Sequence, residues 1–133
     1  MYHMLGQTLA KTVAAAAFST GLLWCGMAQA AELVMFEQAG CVYCQRWERD
    51  VGSLYEKTDE ARMLPLRRVD IQNQKTSGIT LASPVRFTPT FVIADDGREI
   101  GRITGYSNDN AFWGLLDALA AKLRPSPREP SRI

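Results

Sequence analysis

Cys41 and Cys44, separated by Val42 and Tyr43, are the residues of this chain best suited to chemistry. Two cysteines at that spacing close a loop too small to contribute much as a structural staple, so thiol exchange explains them better. The thiolate, not the thiol, attacks a disulfide, and an unperturbed cysteine with a pKa of about 8.5 is only about 3% ionised at pH 7. Unpaired N–H groups at a helix start favour the anion by about 0.3–2 kcal/mol. That is worth up to roughly 1.5 pKa units, enough to bring a cysteine near neutrality, where attack is fastest. The roles follow. Cys41, at the start of a helix, attacks and forms a mixed disulfide; Cys44, one turn in on the apolar face and more deeply buried, resolves it. The alternative is a pair of unreactive core cysteines.

The flanking residues supply the elements that such a pair needs. Leu33-Val34-Met35-Phe36 is a continuous apolar run, the mark of a strand buried on both faces. Gly40 breaks it just before Cys41. From Cys44 the apolar residues fall at 44, 47, 51, 54 and 55, one face of a helix, with Gly52 as a mild blemish. Leu64 to Ile71 reads as a second strand with Pro65 at its start. Residues 72–85 are polar and then mixed, with room for a short helix around Gly78 to Ala82. Thr90 to Ala94 reads as a third strand, Asp96-Gly97 as a hairpin turn, and Glu99 to Thr104 as the returning strand. A last helix places Phe112, Leu115, Leu116, Leu119, Ala120 and Leu123 on one face, with Asn108 as its N-cap. Trp47 and the Phe112-Trp113 pair read as packing. The order predicts an α/β domain. One mixed four-stranded sheet, two parallel strands plus a C-terminal hairpin, is flanked by helices.

Composition narrows the function classes. The chain has 133 residues, 47% hydrophobic and 22% charged, with a net charge of +1, which fits a single domain. No basic stripe advertises nucleic acid. Residues 1–30 carry Lys11 as their one Lys, Arg, Asp or Glu, run apolar through Trp24, and end in Ala28-Gln29-Ala30. That pattern fits a cleaved signal peptide; a retained membrane anchor is the alternative. With Cys25 removed alongside it, one cysteine pair is left, and the only histidine, His3, leaves too. Two thiolates alone make a poor metal site, and Gln45 stands where covalent haem attachment would need a histidine. The expected layout is a signal peptide over 1–30, a domain over 31–123, and a disordered tail over 124–133 containing three prolines.

An apolar strand, a Cys-x-x-Cys opening a helix, and Thr88-Pro89-Thr90-Phe91 opening a later strand together resemble the thioredoxin superfamily over roughly residues 32–123. The size resembles the short, glutaredoxin-like version. More narrowly, Met35-Phe36-Glu37-Gln38, Pro84-Val85-x-Phe87-Thr88-Pro89-Thr90-Phe91, and Gly105-Tyr106 ahead of Phe112-Trp113 resemble the periplasmic SoxS-type proteins of sulfur-oxidation operons. The resemblance implies a cis peptide before Pro89, with the Thr88 backbone presented to an extended substrate segment, and a contact role for Tyr43. It also puts Met35 where thioredoxins keep a buried acid. Glu37 is then either a substitute proton relay or a solvated residue at a strand end. Gly40 replaces a tryptophan usual in the family and opens the rim of the site.

The resulting expectation is a periplasmic thiol–disulfide oxidoreductase, monomeric, needing no cofactor beyond its own Cys41–Cys44 disulfide and no metal. The SoxS resemblance implies a reductive role on a partner protein, a sulfur carrier being the natural candidate. Because the periplasm is kept oxidising, such a reductant needs a membrane thiol-electron transporter as donor. The alternatives are a disulfide oxidase or isomerase, a reductant for cytochrome c maturation, or a non-catalytic interaction module on the same fold.

Overall fold

Strand β1 (Glu32–Glu37) is the centre of the molecule because it has no polar face to show to water: Leu33 to Phe36 are all buried. A computed structural model describes residues 30–123. The expected tail and all but the last residue of the expected signal segment lie outside them. After β1 come α1 (Val42–Trp47), a π-helical turn (Glu48–Gly52) and α2 (Ser53–Tyr55), three stretches of one continuous helical path. Then follow α3 (Asp59–Met63), β2 (Leu66–Asp70), a 3-10 helix (Ile71–Thr76), β3 (Thr90–Asp95), β4 (Arg98–Thr104) and α4 (Asp109–Ala120).

The sheet order is β2-β1-β3-β4. β1 runs parallel to β2, with Met35 opposite Arg68, and antiparallel to β3, with Phe36 opposite Thr90. β3 and β4 form the expected hairpin, whose Asp96 and Gly97 both take positive φ, 50° and 70°. A two-residue turn needs that handedness to match the strands' twist. Asn108 caps α4 by accepting a hydrogen bond from the Ala111 N–H at 2.9 Å.

The alternation of β1 divides the core. Leu33 and Met35 join Trp47, Val51, Tyr55, Phe91, Phe112 and Leu116 beneath the helices. Val34 and Phe36 pack with Val85 and Val92 on the other face, which the 3-10 helix and the chain after it cover in place of an α-helix. No helix among the described residues is long and apolar enough to cross a membrane.

Several local expectations are corrected. The second strand begins at Leu66 because Leu64 ends α3, its N–H bonded to the Glu60 carbonyl, and drops into the core. No helix forms around 78–82; Thr80 bridges to Arg98 instead and straps this segment to the hairpin. Leu54 is 55% exposed, although the apolar spacing puts it on the buried face. The wider π turn rotates it outward while keeping Val51 and Tyr55 inside. Leu115 is likewise 52% exposed, and α4 buries Phe112, Leu116 and Ala120. Trp47 and Phe112 lie in the core as packing residues, and Trp113 stacks on Tyr55 at 5.9 Å.

Candidate active site

β1 delivers the chain to one end of the sheet, and the turn Gln38-Ala39-Gly40 hands it to α1. Gly40 has φ +77°, a conformation side chains resist, although open space surrounds it. Cys41 follows as the N-cap of α1 in extended conformation, its N–H donating to the Gln38 carbonyl at 3.3 Å. Its sulfur does what a capping oxygen normally does: it accepts the Cys44 backbone N–H at 3.1 Å. A donor aimed at this sulfur favours its anionic form when the bond is opened. Cys41 and Cys44 form a disulfide, with Cα atoms 5.2 Å apart. The expected contrast in burial is not found. Cys41 is 7% and Cys44 6% exposed, because the oxidised pair sinks into the edge of the core together.

Tyr43 stands beside the pair, 57% exposed, with Val42 also out in solvent. Thr88 is half-buried and Pro89 buried, and the peptide bond between them is cis. The Pro89 carbonyl accepts the Gly105 N–H at 2.7 Å, tying the entrance of β3 to the exit of β4. Since Thr90 pairs with Phe36, this junction lies at the end of the sheet from which β1 leads to the cysteines.

A groove of about 580 Å³ borders both cysteines. Glu37, Gln45, Glu48, Arg68 and Asp70 are among the residues that line it. Nothing in the sequence around Arg68 and Glu48 marks them for this site. Arg68 stands opposite Met35 in the β1–β2 register. Its Nη1 donates to Glu37 at 3.1 Å, its Nη2 to Glu48, and its guanidinium lies 5.7 Å from the centre of the Trp47 ring. Burial on its own would lower the Arg68 pKa, but these two carboxylates raise it, so the group is a permanent cation. At the π turn, the Tyr106 hydroxyl donates to Asp50 at 2.9 Å. Burial first and that bond second push the Tyr106 pKa up to about 12. Among the described residues, no group of three or more His, Cys, Asp or Glu side chains is arranged to hold a metal ion.

Fold and dithiol together define the class: the chain belongs to the thioredoxin-like domain family, which matches residues 28–120, and it is a thiol–disulfide oxidoreductase. Among solved structures, the periplasmic thioredoxin SoxS from Paracoccus pantotrophus, in its reduced form, is 40% identical. It superposes with a TM-score of 0.68, the match covering 71% of this chain and 99% of that one. A mutant thioredoxin from Halobacterium salinarum is 26% identical, with a TM-score of 0.51 over 73% of this chain and 78% of the other. The thioredoxin of Malassezia sympodialis, at 18% identity and a TM-score of 0.51 over 70% and 77%, shares the fold. No protein of curated function matches by sequence.

Proposed function

We propose that this oxidoreductase works in the periplasm as a reductant of a disulfide on a partner protein, a sulfur carrier of the Sox type being the natural substrate. The observation that carries this reading is the 40% identity to a periplasmic SoxS across 99% of that chain, together with a cysteine pair seated as such an exchange requires.

In the reduced enzyme the Cys41 thiolate attacks one sulfur of the partner's disulfide. A Cys41–partner bond forms, and the other partner sulfur leaves and takes a proton. Cys44, deprotonated in turn, attacks Cys41. The internal disulfide forms, the partner's remaining sulfur departs as a thiol, and two electrons have passed to the partner. Thr88 and Pro89 present backbone to an extended substrate segment, and Tyr43 supplies an exposed contact beside the reacting sulfurs. Glu37, on the groove wall with both cysteines, serves as the proton relay. A membrane thiol-electron transporter restores the dithiol.

The test is a Cys44→Ser variant expressed in the native host, with rapid alkylation and identification of whatever remains covalently attached to Cys41. One small carrier protein is expected. A broad set of secreted clients would replace this reading with that of a folding catalyst, and no adduct under any redox condition would overturn it.

A further inference from the structure

Of the residues lining the groove, Arg68 alone is a cation, and three carboxylates share the wall with it: Glu37 from β1, Glu48 from the helix that carries the cysteines, and Asp70 from β2. A cation near a thiol favours the thiolate, and carboxylates oppose it. The balance therefore depends on where the guanidinium is held. It is held on three sides, by Glu37, by Glu48 and by the face of Trp47.

Glu48 reaches this position because of the residue one turn further on. A Cβ on Gly52 would lie 2.5 Å from Glu48 Oε2 and 2.8 Å from Glu48 Cδ. The carboxylate occupies the space a side chain would fill. Gly52, a blemish by helix propensity, is thus the clearance that lets Glu48 fold back onto Arg68.

We propose that Arg68 is the positioning residue that sets how readily the Cys41–Cys44 dithiol ionises, and that Glu37 and Glu48 hold its charge partly masked. The bridge is a two-way adjustment. Losing the cation leaves three carboxylates in the groove that borders the sulfurs; losing Glu48 leaves the cation less masked there. A more acidic thiol stabilises the reduced form and makes the pair more oxidising, and a less acidic one makes it more reducing. With three carboxylates against one guanidinium, the wall favours a reducing pair. The inference rests on the exchange chemistry of the two cysteines and not on the identity of the partner.

The experiment uses the purified full-length chain and no partner protein, so its outcome is independent of the trapping result. The reduced protein is titrated by thiolate absorbance at 240 nm, and its equilibrium with glutathione redox buffer is measured. Arg68→Gln is expected to lower the thiolate fraction, at a pH below the thiol pKa, by about three- to fivefold and to move the equilibrium towards the disulfide. Glu48→Gln is expected to move both readouts the opposite way, and Arg68→Lys to restore most of the wild-type behaviour. Shifts of the same sign in the two Gln variants, or an unmoved titration in Arg68→Gln, would overturn the proposal. Should circular dichroism show that Arg68→Gln does not fold, the nearly isosteric Glu48→Gln decides alone, and an unchanged curve there rejects it.

Discussion

The side chain of Glu99 is only 4% exposed, and its charge survives because three hydrogen bonds converge on it. It accepts from Arg102 Nε at 2.6 Å, from Arg102 Nη2 at 2.7 Å and from the Ala82 N–H at 2.7 Å. Burial alone would raise its pKa; these bonds outweigh it and hold the carboxyl below its ordinary value. A carboxyl with a lower pKa folded than unfolded stabilises the protein above the unfolded value, and that contribution fades as pH falls through the folded one. Glu99→Gln should therefore cost roughly 1–3 kcal/mol in urea unfolding at pH 7, with the gap to wild type closing as the pH falls through the lowered folded-state pKa. A gap independent of pH would show that the charge is not what matters. Legibility at this scale tracks sequence distance. Cys41 and Cys44 announce themselves because they are three positions apart. Arg68 is silent in the sequence because its partners Glu37 and Glu48 lie 31 and 20 residues away, and it takes both the β1–β2 register and the packing of the π turn to bring them together.

Among the elements, the helix that bears the cysteines shows where periodicity stops being a guide. Its apolar residues fit a regular helix well enough to be found, yet a π turn over Glu48–Gly52 changes the phase halfway along. Nothing in the spacing reveals the turn, which buries Trp47 and Val51 in the core and sets Gly52 close against the Trp47 ring and the Glu48 carboxylate. Gly52→Ala should thus destabilise the protein in spite of alanine's better helix propensity. The new Cβ would meet Trp47 Cζ3 at 2.8 Å as well as Glu48, a cost of about 1–3 kcal/mol, measurable by thermal or urea unfolding. A gain in stability would mean that ring and carboxylate yield easily. The helix Asp59–Met63 is a different kind of omission. At five residues it is too short for a periodic pattern, although Thr58 followed by Asp59 and Glu60 is a start signal, and Thr58 Oγ1 does accept the Ala61 N–H at 3.3 Å.

For the molecule as a whole, the topology was readable because strand runs, a crossover helix and one tight turn leave few ways to close a sheet. What covers its second face was not, since a 3-10 turn and coil have no hydrophobic period. Here a polar residue does the fastening. Gln74 donates from Nε2 to the Ile71 and Val85 carbonyls, both at 3.1 Å, and accepts the Val85 N–H at 2.8 Å. This pins Val85 over Val34, Phe36 and Val92. Gln74→Ala should speed amide hydrogen exchange about tenfold or more across residues 71–87 while leaving α1 unchanged. Exchange that accelerates uniformly over the domain would show instead that both faces open as one unit.

Trp47 shares its buried cluster with both sulfurs and sits three positions beyond Cys44. An excited indole gives up an electron to a nearby disulfide more readily than to two thiols. Emission from the ring that steadies Arg68 is therefore expected to rise when the Cys41–Cys44 bond is reduced, and a spectrum unchanged by dithiothreitol would show that the indole does not sense the sulfurs.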